Sequence, residues 1–212
     1  MSMKKDLRNH IATAVVIIFG LLLLYVGTDG FRAFTKESAR LYALSQEKPI
    51  MPDVLLEDSK EREYHFSEYR GKYVLVTFVY TNCTTVCPVL ETNFAQVYDL
   101  IPQKYMGNEL DFLTISFDPE NDDPETLEKY RSYFNSDGET WRMARINDED
   151  ELQDLLDTLE VVVIPDGEGD FSHNVAFYLI NPEGYLEAVY DFQEIEETAE
   201  KVEALVEKTA GE

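Results

Sequence analysis

Chemically reactive side chains are scarce in this sequence. It holds two cysteines, three histidines and one tryptophan in 212 residues. Two cysteines exclude a disulfide-dense scaffold and leave few residues able to carry metal or thiol chemistry. Basic charge is also short, with 18 Lys and Arg against 42 Asp and Glu, a net of −24. Residues 1–50 are net +3, so the remainder carries −27. That sign excludes nucleic-acid binding by counterion release, which needs a basic face. It fits a solvated acidic surface, adaptation to salty or alkaline surroundings, or attraction to a basic partner. Hydrophobic residues are sufficient for a core, at 44%, and the length suits one domain plus an anchor or tail. No internal repeat or low-complexity tract is present, although Asn147–Glu151 is locally acidic.

One long uncharged run stands out, Ile11–Gly27 (IATAVVIIFGLLLLYVG). A bilayer needs about 20 apolar residues, with roughly 17 as the lower limit. Lys4, Lys5 and Arg8 precede the run, so the chain start is expected in the cytoplasm and the remainder outside. A cleaved signal peptide has a shorter apolar region, about 7–15 residues, and no small-x-small site follows Val26. The segment is neither Ser-rich nor strongly Arg-rich, which argues against a mitochondrial transit peptide. The expected organisation is a cytoplasmic start and transmembrane anchor over 1–28, a stalk over 29–47, and a domain over 48–212. The expected place is a bacterial cell membrane, crossed once, with the domain extracytoplasmic. In the stalk, Phe31, Phe34, Ala39, Leu41 and Leu44 form a partial helical stripe before Pro49 and Pro52 break it.

Within the domain, residues 53–66 read as two short strands around a polar turn at Asp58–Lys60. Tyr73–Tyr80 (YVLVTFVY) and Leu110–Phe117 (LDFLTISF) read as strands buried on both faces. Helices are expected over Val89–Leu100, after Pro88, over Pro124–Phe134, after the Asp122–Asp123 cap signal, and over Asp148–Leu159. A strand at Trp141–Ile146, a hairpin of Val175–Ile180 and Tyr185–Tyr190 about Asn181–Gly184, and a helix at Glu194–Lys208 complete the pattern. Alternating strands and helices imply an α/β layered fold with a partly parallel sheet. The late antiparallel hairpin is that of a thioredoxin-like sheet.

The central motif is Thr81-Asn82-Cys83-Thr84-Thr85-Val86-Cys87-Pro88. Two cysteines leave a buried strand and enter a helix. A helix N-terminus favours anions, so both thiols are expected to ionise more readily than a free thiol. Thiolates are soft ligands that select Cu(I). Structural zinc normally takes four ligands, and no further cysteine exists. The same pair can instead form a disulfide. Among the histidines, His10 lies beside the anchor and His65 in the early hairpin, expected to face solvent. His173, between an acidic loop over 165–170 and a strand, is the remaining candidate for a third ligand. Two thiolates and an imidazole suit three-coordinate Cu(I), or Cu(II) if a fourth group joins. Asp118, at the end of a central strand, is a candidate to orient a ligand; alternatively it caps the turn before Pro119.

TNCTTVCPVL, ISFDPENDDPETLEKY and SHNVAFYLINPEGYL occur in that order and resemble the three signatures of the SCO/SenC family over roughly residues 50–208. The resemblance implies a thioredoxin-like fold, with copper held by Cys83, Cys87 and His173 and with Asp118 linked to the site. It implies delivery of copper to the binuclear copper centre of cytochrome c oxidase, or upkeep of that centre's thiols. The implied partner is the copper-bearing oxidase subunit or another copper or thiol protein. Many members have proline after the first cysteine, where this chain has Thr84. Two competing functions use the same thiols. One is an extracytoplasmic thiol–disulfide oxidoreductase, which needs no His173 and more often has CxxC. The other is a peroxidase-like or redox-sensing relative, which needs an Arg or Thr beside one peroxidatic cysteine.

Overall fold

The computed structural model describes residues 2–27, 36–167 and 171–210. Phe31 and Phe34 of the expected stalk, and residues 168–170 of the acidic loop, lie outside the described residues. The chain divides into two compact units, Met1–Gln46 and Glu47–Glu212. The first contains helix α1 (Ser2–Gly27) and most of α2 (Lys36–Glu47). Within α1, the 18 residues His10–Gly27 are long and apolar enough to cross a membrane. At 1.5 Å per residue they reach about 27 Å, close to the hydrocarbon thickness.

The second unit is built on a seven-stranded sheet. Its strands are β1 (Leu55–Asp58), β2 (Glu63–His65), β3 (Tyr73–Val79), β4 (Leu110–Ser116), β5 (Trp141–Arg145), β8 (Phe177–Ile180) and β9 (Leu186–Tyr190), with β6 (Val163–Pro165) and β7 (Phe171–His173) forming a separate hairpin. The sheet order is β2-β1-β5-β4-β3-β8-β9. β3, β4 and β5 are parallel, and both flanks are antiparallel. Every residue of β3 and β4 is buried, as expected for apolar runs at the centre of a covered parallel sheet.

The helices are α3 (Cys87–Leu100), α4 (Pro124–Ser132), α5 (Glu149–Thr158) and α6 (Ile195–Ala210). α3 packs against α6, and α4 against β5. The paired aspartates before α4 divide their work. Asp123 caps the helix, accepting from the Thr126 N–H with Pro124 in the first turn, while Asp122 turns inward and is fully buried. Asp148 caps α5 in the same way through the Glu151 N–H. Beneath the sheet end, Phe94 meets Phe112, Trp141 and Phe177 at ring-centroid distances of 5.0–5.5 Å, a specific aromatic cluster at the core.

One expectation needs correction. Residues 165–170 were expected as an acidic loop, with His173 just before a strand from Val175. Instead Val163 pairs with His173 and Pro165 with Phe171 in the β6–β7 hairpin, and β8 begins only at Phe177. The β-branched run Val161-Val162-Val163-Ile164 favours extension. Asn174 closes the base of the hairpin: its Oδ1 accepts the Val162 N–H at 2.7 Å and its Nδ2 donates to the Glu160 carbonyl.

Candidate functional site

The cysteine loop lies between β3 and α3, where a parallel strand's C-terminal end meets a helix N-terminus. Val86, at the N-cap, offers no side-chain cap. The sulfur of Cys83 takes that role, accepting the Cys87 N–H at 3.3 Å, and Thr85 Oγ1 lies 3.6 Å from it. Both cysteines are buried and neither is in a disulfide. Burial alone would raise the Cys83 thiol, but hydrogen bonds from Cys87 and Thr85 outweigh it and hold Cys83 below the ordinary thiol range.

Cys87 behaves in the opposite sense, against the expectation that both thiols ionise readily. It is the first residue of the helix, 0% exposed. Burial pushes its thiol far up, and the hydrogen bond and charge of the neighbouring Cys83 push it further. The pair is therefore graded: Cys83 is the more acidic thiol and Cys87 keeps its proton.

His173 reaches this pair from 86 residues away. Its Nε2 lies 3.3 Å from Cys87 Sγ, and its Nδ1 lies 3.1 Å from the Asn174 carbonyl oxygen. A carbonyl can only accept, so Nδ1 carries the hydrogen and Nε2 presents its lone pair to Cys87. Burial lowers the imidazole's pKa, partly offset by the Asn174 contact. A neutral ring facing a protonated thiol follows. The ring sits against Phe117 at 5.0 Å and Tyr80 at 6.2 Å. Phe171, on the same face of β7, packs against the same two rings. These aromatics seat the hairpin that bears His173.

Asp118 sits beside the loop rather than against the sulfurs. Its carboxylate accepts from Asn121 Nδ2 within its own turn, and it lines a cavity with Thr81, Asn82 and Asn121. The carboxylate tied to the cysteine loop is Asp122, which accepts from the Thr81 N–H and hydroxyl and from the Ser116 hydroxyl. His65 is exposed, as expected, with Asp53 at 3.9 Å.

Among the described residues, no three His, Cys, Asp or Glu side chains converge tightly enough to enclose an ion. The donor set nevertheless fits a soft ion, because it offers two sulfurs and an imidazole whose free nitrogen already faces one of them. The Cys87–His173 contact is a hydrogen bond, and a thiol proton must leave before either sulfur ligates.

Sequence reading missed Asp122, whose neighbour Asp123 is the helix cap, and Glu91, a wholly buried acid on α3. The signal for Glu91 was present: it falls on the apolar face, one turn after Cys87 and one before Phe94.

A strand–loop–helix thiol pair on a central parallel sheet, overhung by a histidine hairpin, defines a thioredoxin-like thiol protein with a third donor. The family model for SCO1/SenC matches residues 43–207, and the chain belongs to that family. A SCO1 protein homolog from Bacillus subtilis is 29% identical over 133 residues, 61% of this chain and 66% of that protein, so the match spans just under two thirds of the relative's length. The structure of yeast Sco1 with copper bound superimposes with a TM-score of 0.61 and 25% identity, over 75% of this chain and 87% of that one. A structure of BsSco, described as a member of the Sco family of cytochrome c oxidase assembly proteins and as having a disulfide switch, gives 0.64 at 20% identity, over 75% and 94%. The last comparison bears on the fold.

Proposed function

We propose that this protein takes up and hands over one copper ion through Cys83, Cys87 and His173, in assembly of the copper centre of cytochrome c oxidase. The observation that carries the reading is the 3.3 Å approach of His173 Nε2 to Cys87 Sγ. A thiol reductant needs only the two sulfurs, whereas a copper site gains the imidazole nitrogen as a third donor. The copper-bound yeast relative and membership of the SCO1/SenC family support the same reading.

Copper is cargo here, and its binding is soft-donor chemistry. This chain's residues grade the thiols, hold the imidazole in the tautomer that leaves Nε2 free, and keep the buried sulfur out of water. In this reading residues 1–28 anchor the chain, residues 29–47 form a stalk, and residues 48–212 work on the extracytoplasmic side of a bacterial membrane. Lys4, Lys5 and Arg8 before the apolar helix support that orientation.

The test is metal content. Full-length reduced protein in detergent is loaded with copper, desalted and analysed. About one equivalent retained is expected; less than a tenth would overturn the reading. Thiol–disulfide exchange with a partner's cysteines is the second reading, favoured by the graded thiol pair itself: an acidic Cys83 to attack and a protonated Cys87 to follow.

A further inference from the structure

A cavity of about 480 Å³ opens beside the cysteine loop, lined by Thr81, Asn82, Asp118 and Asn121. Asn82 directly precedes Cys83, so whatever fills the cavity lies against the loop that carries the thiols. Its walls offer oxygen acceptors. Thr81 Oγ1 gives its hydrogen to Asp122 Oδ1, which leaves that hydroxyl only lone pairs to offer. Asn121 Nδ2 donates to both carboxylate oxygens of Asp118, at 3.0 and 2.9 Å, so Asn121 Oδ1 remains an acceptor. Each Asp118 oxygen keeps a further lone pair after that contact. Asn82 is exposed and adds an amide. None of the described ion pairs includes Asp118 or Asp122. The Arg145 guanidinium, which donates to the Pro119 carbonyl at 2.8 Å, is paired with Glu57 instead.

Several acceptors, one carboxylate without a cation and room for a whole side chain suit a cation with many donors. A divalent ion is a poor match, because among the described residues no three His, Cys, Asp or Glu side chains could hold one. An ammonium is a point charge with three donors. A guanidinium carries five in a planar fork that can pair both oxygens of a carboxylate. The charge of the domain points the same way: residues 51–212 are net −27, which favours a partner with a basic docking face. We propose that this cavity receives an arginine side chain of the protein that exchanges copper at the cysteine loop. The guanidinium pairs with the two Asp118 oxygens, and its remaining donors meet Asn121 Oδ1 and the Thr81 hydroxyl. The anchor brings the partner's own donor atoms to the loop without touching the ion. Arginine is among the residue types that carry such anchors at protein interfaces.

This inference rests on the copper reading, whose partner it describes, and the experiment separates the two. Full-length reduced protein in detergent, isotope-labelled for NMR, is titrated with N-acetyl-arginine amide. The side-chain amide signals of Asn82 and Asn121 and the backbone signal of Thr81 are followed. A saturable shift is expected. N-acetyl-citrulline amide, a neutral copy of the same shape, should give none, and N-acetyl-lysine amide should bind more weakly. Those comparisons need no variant to fold. Asp118→Asn keeps the shape and loses the charge, so it should bind the arginine probe about tenfold more weakly or worse. The copper-centre domain of the oxidase should lose affinity for Asp118→Asn to a similar extent, and excess arginine probe should compete with it on wild type. No saturable shift, or an equal shift with citrulline, overturns the cavity's role. Equal binding of the lysine probe overturns the choice of arginine. Oxidase-domain affinity unchanged by Asp118→Asn overturns the anchor while the copper reading stands. Copper content is measured on the same wild-type sample, and less than a tenth of an equivalent retained overturns the copper reading and this inference with it.

Discussion

Asp122 accepts both the backbone N–H of Thr81, at 3.0 Å, and its hydroxyl, at 2.5 Å. The bond joins the turn before α4 to the first residue of the cysteine loop, 41 residues earlier. With the Ser116 hydroxyl as a third donor, one buried carboxylate ties the ends of β3 and β4 together and sets where the loop departs.

Removing that carboxylate strands three donors, of which the Ser116 hydroxyl is buried and the two of Thr81 partly so. Asp122→Ala is expected to cost about 2–4 kcal/mol of stability, the scale of breaking a buried charge-assisted network. Urea unfolding measures it. Asp118→Ala, which loses only bonds to Asn121 within its own turn, should change stability by about 0.5 kcal/mol or less. Equal losses in the two variants would show that Asp122 is no special tie.

The graded thiols give a chemical ordering. Cys83 is held below the ordinary thiol range and Cys87 far above it, and the thiolate is the nucleophile. Brief alkylation of the reduced protein at neutral pH, mapped by mass spectrometry, should therefore label Cys83 first. Labelling of Cys87 first would show that helix position outweighs burial after all.

Much of this arrangement was legible in the sequence, and what was not has identifiable causes. β3 and β4 announce themselves because both faces are buried and the runs are unbroken. The α4 and α5 starts follow from Asp123 and Asp148 as caps. The β6–β7 hairpin stayed hidden because its strands are three residues each and are pinned by the Asn174 side chain, which no periodicity reports. Of the candidate site, Cys83, Cys87 and His173 stood out by their scarcity, and the structure brings His173 Nε2 to 3.3 Å from Cys87 Sγ. The split between the thiols was not legible, because a sequence does not say that Cys87 starts the helix fully buried while Cys83 caps it. Asp118 drew attention as the acid ending a strand, yet the chain turns Asp122 inward instead.

Buried Glu91 also predicts a pH dependence. Its pKa is about 8 in the folded protein against 4.5 for the free side chain. Between those values the folded state binds more protons than the unfolded state, so this group's contribution to stability falls as pH rises from 4.5 to 8. The loss is on the order of 5 kcal/mol, fully present above pH 8. Asp111 and Asp122, raised chiefly by burial, act in the same direction at the acid end. Denaturant unfolding across this range should show a flatter profile for Glu91→Gln than for wild type. Parallel profiles would mean that Glu91 is ionised throughout.

The role of His173 separates the two proposed chemistries. In the copper reading the imidazole is a direct donor; in thiol–disulfide exchange it is a neighbour of Cys87. His173→Ala removes Nε2 and the bond to Cys87 Sγ, while both sulfurs and the Cys87 N–H to Cys83 bond remain. Cu(II) is harder than Cu(I) and depends more on nitrogen, so its complex should weaken most, by tenfold or more in competition with a chelator. Cu(I) should persist on the two thiolates at reduced affinity. The Cys83–Cys87 reduction potential, measured against a glutathione buffer, should move far less. Replacing either cysteine should abolish both copper binding and disulfide formation. In cells that need the protein for oxidase maturation, the His173 variant should then fail along with the cysteine variants. Normal maturation with His173→Ala, alongside failure of Cys83→Ser and Cys87→Ser, would assign the protein to thiol reduction.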